Sequence, residues 1–105
     1  MKKKVILQID TTMSNRTEVS LEINGKKDNI SQESAVWTSQ VLLPIISKIL
    51  EKNKIKLSDL SDIKVKTGPG SYTGIRVGVT VANALGFLFD LPVNGRKGIP
   101  VEPIY

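Results

Sequence analysis

The sequence predicts an α/β domain: one mixed sheet with two main helices, in the order strand, strand, strand, helix, strand, helix, strand. Three observations carry this. Residues Glu18 to Asn24 alternate, with Val19, Leu21 and Ile23 on one face and Glu18, Ser20 and Glu22 on the other, and they run into Asn24-Gly25, the pattern of a half-buried strand entering a hairpin. Leu42, Ile45, Ile46 and Ile49 recur at the spacing of one helix face. From Tyr72 to Asp90 there is no proline and Arg76 is the only charge before Asp90, a run whose length favours a helix over strands. A hairpin meander followed by two crossovers gives a mixed sheet.

The bulk properties bound the function. A chain of 105 residues makes one domain, expected over residues 1–95 with an extended tail at 96–105 that contains Gly98, Pro100 and Pro103. The sequence has no cysteine and no histidine, which excludes disulfides, histidine metal sites and Ser-His-Asp or Cys-His catalysis within it. The net charge of +5 comes from scattered lysines without an aromatic-interleaved basic stripe, so direct nucleic-acid binding is not indicated. Val5-Ile6-Leu7 breaks at Gln8, too short for a signal-peptide core, and the second-half apolar stretch is interrupted by Arg76, Asn83 and glycines. The expectation is a cytoplasmic protein with no membrane span.

Val5 to Asp10 reads as a strand ending in an Asp10-Thr11-Thr12 turn. A carboxylate followed by hydroxyls at a strand end suits phosphate or magnesium, and it also suits an ordinary turn. Lys26 to Ile30 reads as a polar edge strand. Ser31 to Glu33 looks like a helix start, with Val36, Trp37 and Val41 adding apolar surface. Pro44 should kink or restart that helix, and Asn53 should stop it. Leu57 to Leu60 suggests a helical turn, Ile63 to Thr67 a strand, and Pro92-Val93-Asn94 a brief last strand.

Gly68-Pro69-Gly70-Ser71-Tyr72-Thr73-Gly74-Ile75-Arg76 organises the second half. The glycines and the proline set a tight loop, and Ser71 is a good N-cap for the helix beyond it. Along that helix Gly74, Gly78, Ala82 and Gly86 recur every four residues, forming a ridge with almost no side chains. Three glycines in a helix interior cost roughly 1 kcal/mol each relative to alanine. Close approach of another element offsets this, and the sequence leaves open whether that element is the domain's own sheet or another helix. Arg76 sits in the first turn, against the macrodipole, so it needs an acid or a partner group beside it.

Three stretches now resemble the bacterial TsaB (YeaZ) proteins: the opening strand with Asp10-Thr11-Thr12, the helix segment Leu42-Leu43-Pro44-Ile45-Ile46, and the loop Gly68 to Arg76 continuing to Gly78. Leu91-Pro92-Val93 is similar to that family's next strand, and Trp37-Thr38-Ser39-Gln40 stands where the family often has His-Ser-Glu. The resemblance implies a ribonuclease-H-like lobe of the actin-like ATPase superfamily. It covers one of the family's two lobes, and a nucleotide site between lobes would be incomplete, so no cofactor is expected. It implies a non-catalytic accessory subunit of the machinery that makes threonylcarbamoyladenosine in tRNA, paired with a TsaD-type paralogue, joined by a TsaE-type ATPase, a homodimer when alone, and touching tRNA only indirectly. The interface this implies comprises Leu42, Ile45, Ile46, Ile49, Tyr72, Gly74, Ile75, Gly78, Val79 and Ala82, which could equally be ordinary core. Asp10, Thr11, Thr12, Gly70 and Ser71 form a possible vestigial phosphate site. The alternatives are an ATPase or phosphotransferase half-site completed by dimerisation, and a tRNA-binding module. No Gly-Lys-Ser/Thr P-loop is present, and a peptidase finds no nucleophile–base pair.

Overall fold

Four strands form the sheet, in the order β3-β2-β1-β4. The computed structural model describes residues 3–33 and 39–104, and the side chains of Ser39 and Gln40 are not described. Strands β1 (Val5–Met13), β2 (Arg16–Ile23) and β3 (Lys26–Glu33) make an antiparallel meander, and β4 (Asp62–Val65) joins β1 in parallel, Ile6 opposite Asp62 and Ile9 opposite Val65. The β2–β3 turn lies at Asn24-Gly25, both residues at positive φ, as the hairpin signal requires. Helix α1 (Ser39–Lys52) and helix α2 (Tyr72–Phe89) both pack on the sheet face that carries Leu7, Ile9, Val19, Leu21, Ile63 and Val65.

The core explains the periodicities. Leu42, Ile45, Ile46 and Ile49 of α1 are all buried, and so are Gly74, Ile75, Gly78, Val79, Ala82, Leu85 and Gly86 of α2. Of the two partners left open for the small-residue ridge, the domain's own sheet is the one it meets. A Cβ on Gly78 would collide with Thr11 of β1, and a Cβ on Gly86 would collide with Val93. Helix α2 is long and apolar enough to cross a membrane by length and composition, and its buried ridge is the packing of a core helix.

Several element ends differ from the sequence reading. β1 does not turn at Asp10-Thr11-Thr12: it continues to Met13 through a register shift, because Thr11 faces the core and is buried under α2. β3 runs on through Ser31 to Glu33, paired residue for residue with β2 back to Arg16, so the expected helix start there is a strand end. Val36 and Trp37 lie outside the described residues. Ser20, expected outward, does lie opposite the helix face, yet it is buried among longer neighbours.

Helix α1 runs through Pro44 unbroken, with the proline on its exposed side near the N-terminal turns. It ends in a six-residue wrap: Ile55 N–H donates to Leu50 O at 2.9 Å and Lys54 N–H to Glu51 O at 3.1 Å, with Lys54 left-handed. Asn53 contributes as a side-chain cap, its Nδ2 donating to Ile49 O at 2.9 Å and to Asp28 Oδ2 at 3.0 Å.

The last strand reduces to a bridge between Val93 and Ile63. Val93 and Arg96 then exchange two backbone hydrogen bonds of 3.0 Å around Asn94-Gly95, both at positive φ, which turns the chain straight back. Asn94 extends the pairing with its side chain instead: Val65 N–H donates to its Oδ1, and its Nδ2 donates to Val65 O, each at 2.9 Å.

Candidate functional site

The tip of β1 and the glycine loop meet. Ser71 N–H donates to Thr12 O at 2.7 Å, and Gly70 packs so close to Thr12 that any side chain there would overlap its carbonyl. Ser71 caps α2, its hydroxyl accepting from Gly74 N–H at 3.3 Å. Thr11, fully buried, donates its hydroxyl to Gly74 O at 2.6 Å. Four motif residues therefore bond one another across the strand–helix junction, and Gly70 packs beside them.

Asp10 completes this cluster on the other sheet face. Its Oδ1 accepts from the Thr12 hydroxyl at 2.7 Å and from Thr12 N–H at 3.0 Å, and Lys66 Nζ stands 3.5 Å from Oδ2. Burial pushes the carboxyl up, but the Thr12 hydrogen bonds and the Lys66 charge outweigh it, so Asp10 sits below its ordinary value. The junction brings Asp10, Thr11, Thr12, Gly70 and Ser71 together, with Thr11 alone of them buried. Asp10 pairs with Thr12, the Thr11 and Ser71 hydroxyls bond the Gly74 backbone, and Thr11 is closed to solvent, so these bonds tie β1 to α2 as a latch. Among the described residues no group of three metal-ligating side chains forms.

The second feature is the outward side of α2. Tyr72, Thr73, Arg76, Thr80, Ala84, Phe87 and Leu88 make a continuous exposed stripe. Tyr72 is 57%, Phe87 86% and Leu88 69% exposed, a large apolar area for one helix. Among the described residues Arg76 has no acid beside it: its guanidinium lies 5.6 Å from the Tyr72 ring centroid, with Nη1 3.4 Å from the Tyr72 hydroxyl. A shallow groove of about 360 Å³ runs between Tyr72, Thr73, Arg76, Val77, Thr80 and Val81. On α1, Leu43 is also exposed, and it lines a cavity that reaches Leu85 of α2.

The family described as "TsaD: tRNA N6-adenosine threonylcarbamoyltransferase" matches residues 33–96. The chain is 37% identical to the tRNA threonylcarbamoyladenosine biosynthesis protein TsaB of Buchnera aphidicola subsp. Baizongia pistaciae, over 85% of this chain and 40% of that protein. It is 33% identical to the Haemophilus influenzae protein of the same name, over 89% of this chain and 39% of that one. YeaZ from Pseudomonas aeruginosa superposes with a TM-score of 0.80 at 28% identity, over 86% of this chain and 42% of YeaZ. This chain belongs to the TsaB (YeaZ) family. Its fold is a single ribonuclease-H-like lobe, and it spans about 40% of the length of the curated relatives it matches.

Within a TsaB-type lobe, the structure redistributes the expected interface. Leu42, Ile45, Ile46, Ile49, Gly74, Ile75, Gly78, Val79 and Ala82 are buried in this chain's own core, which corrects their assignment to a partner surface. The periodicity that singled them out is the signature of burial, and it does not say against what. Tyr72 alone of that set is exposed. The sequence reading left Thr80, Phe87 and Leu88 out of the interface set, although all three are exposed. The available signal was position: they fall on the side of the helical wheel opposite Gly74, Gly78, Ala82 and Gly86. Gly68, Pro69, Gly70, Thr73 and Arg76 of the glycine loop lie at the surface or partly covered, with Gly68 pressed against the Ile104 carbonyl.

Proposed function

We propose that the chain acts as a non-catalytic partner subunit in forming N6-threonylcarbamoyladenosine in tRNA, binding and supporting a TsaD-type transferase. The observation that carries this reading is the exposed stripe on α2, from Tyr72 to Leu88, in a chain whose relatives are named for that modification. An apolar helix face with one cation is chemistry for another helix, which buries Phe87 and Leu88 and accepts the Arg76–Tyr72 pair at its rim. The absence of cysteine and histidine from the sequence leaves the chain poorly equipped for catalysis of its own. In this reading the same stripe forms a homodimer when no partner is present, a TsaE-type ATPase joins the complex, tRNA is contacted through the partner, and the setting is cytoplasmic.

The test is to mix the chain with the TsaD-type protein of its own organism and measure mass by size-exclusion chromatography with light scattering. A stoichiometric complex at micromolar concentration supports the proposal. Separate elution at tens of micromolar, roughly the −6 to −7 kcal/mol range of affinity, overturns it.

A further inference from the structure

Helix α2 carries a third feature, on the side between its buried ridge and its exposed stripe. Asn83 holds the backbone of Val101 with both ends of its amide: Val101 N–H donates to Oδ1 and Nδ2 donates to Val101 O, each at 2.9 Å. Three residues on, Ile104 N–H donates to Thr67 O at 2.6 Å, just past the end of β4, and the Ile104 carbonyl packs on Gly68. Between these points burial alternates from residue to residue. Val101 and Pro103 are half-buried, Val101 against the core, while Glu102 and Ile104 face solvent.

The geometry points to a backbone-reading groove between α2 and the end of β4 that takes an extended peptide with apolar side chains at alternate positions, filled in this structure by the chain's own segment Ile99–Ile104. The recognition is of main chain. An asparagine amide offers one donor and one acceptor at the spacing of a peptide unit, so it pairs with any residue in the Val101 position other than proline. Thr67, two residues past β4, supplies the carbonyl that takes the Ile104 N–H, a main-chain contact of the kind used in peptide recognition by strand addition. Selectivity comes from the two inward positions, where a branched side chain and a proline fit. Asn94 holds Val65 by the same two-bond device inside the fold. Because the bound segment is tethered, it competes at a high effective concentration, in the millimolar range for a short linker, so a free peptide enters only when the tether's grip is weakened.

The experiment uses the full chain. In native-state hydrogen exchange, the Val101 and Ile104 amides should exchange about tenfold or more slowly than an unstructured reference. Val101→Pro removes the donor to Asn83 without touching α2, and Asn83→Ala removes the clamp. Each should return Ile104 to near the unstructured rate, while amides of Leu7 and Ile9 in β1 stay protected. In the Val101→Pro chain, the synthetic peptide Ile-Pro-Val-Glu-Pro-Ile-Tyr should then shift the Asn83 side-chain amide resonances saturably, and the same peptide with an N-methylated valine should not. Unprotected Val101 and Ile104 in the parent chain would overturn the proposal. So would the lack of any saturable shift up to about 5 mM peptide.

Discussion

Along α2, the side turned to the sheet reads Gly74, Gly78, Ala82 and Gly86, and the side turned away reads Tyr72, Arg76, Thr80, Phe87 and Leu88. The first is nearly bare of side chains yet carries the packing, with Thr11 seated against Gly78 and Val93 against Gly86. The second carries large side chains that touch little of their own chain. The contrast separates two kinds of helix contact that look alike in a sequence. A small-residue ridge brings backbones close, and here the approaching element is the domain's own first strand. A partner surface is an apolar face the fold leaves uncovered.

The largest effect that sharpens this contrast is expected at the ridge. Gly78→Leu forces a side chain into Thr11 and should cost about 3 kcal/mol or more, enough to abolish cooperative thermal unfolding in circular dichroism. Thr11→Val keeps the shape and deletes the hydroxyl that donates to Gly74 O. It should lower stability by about 1 kcal/mol, read as a lowered urea midpoint at unchanged slope.

Asp10→Asn tests the polar side of the latch. Asp10 is held below its ordinary value of 3.8, so the folded state binds its proton less readily than the unfolded chain. Its contribution is therefore fully present above pH 3.8 and lost as pH falls through the depressed folded value. The parent should exceed Asp10→Asn in stability at neutral pH by no more than about 1 kcal/mol, since Lys66 is exposed to solvent screening, and the two should converge in acid. Denaturant melts at neutral pH and in acid check this.

The smallest expected effect on stability lies on the outward stripe. Thr80→Arg and Phe87→Ser should change it by less than about 0.5 kcal/mol, because surface substitutions away from packing sites are near neutral.

The contrast also explains what the sequence made legible. Alternation in β2 and the Leu42-to-Ile49 period located the sheet and α1, because burial on one face imposes exactly those periods on residue choice. Ser71 as N-cap was readable because a hydroxyl followed by a helix has a single economical use. Element ends were harder. Ser31 to Glu33 is polar and looks like a helix start, but pairing with Arg16 to Glu18 is a long-range contact that local chemistry does not announce. Pro44 looks like a break, but its ring points outward near the N-terminal turns and costs one hydrogen bond. The roles of Asn83 and Asn94 were not legible, because an asparagine amide that reads distant backbone leaves no periodic trace. Asn94-Gly95 carried the same turn signal as Asn24-Gly25, and it was masked by the apolar Leu91-Pro92-Val93 ahead of it. For the candidate site, the motif residues were found and their direction was not: the periodic residues turned inward, and the proposed partner surface lies where the period fails.

The central claim is that the outward stripe of α2 is the partner surface and the ridge is not. The direct measurement is binding of Thr80→Arg to the TsaD-type protein by isothermal titration calorimetry, beside its thermal melt. The account predicts a melt unchanged from the parent and affinity reduced by about tenfold or more, since a charged side chain placed in a desolvated helix contact costs at least 1–2 kcal/mol. An unchanged melt with parental affinity would contradict it and move the partner surface off α2.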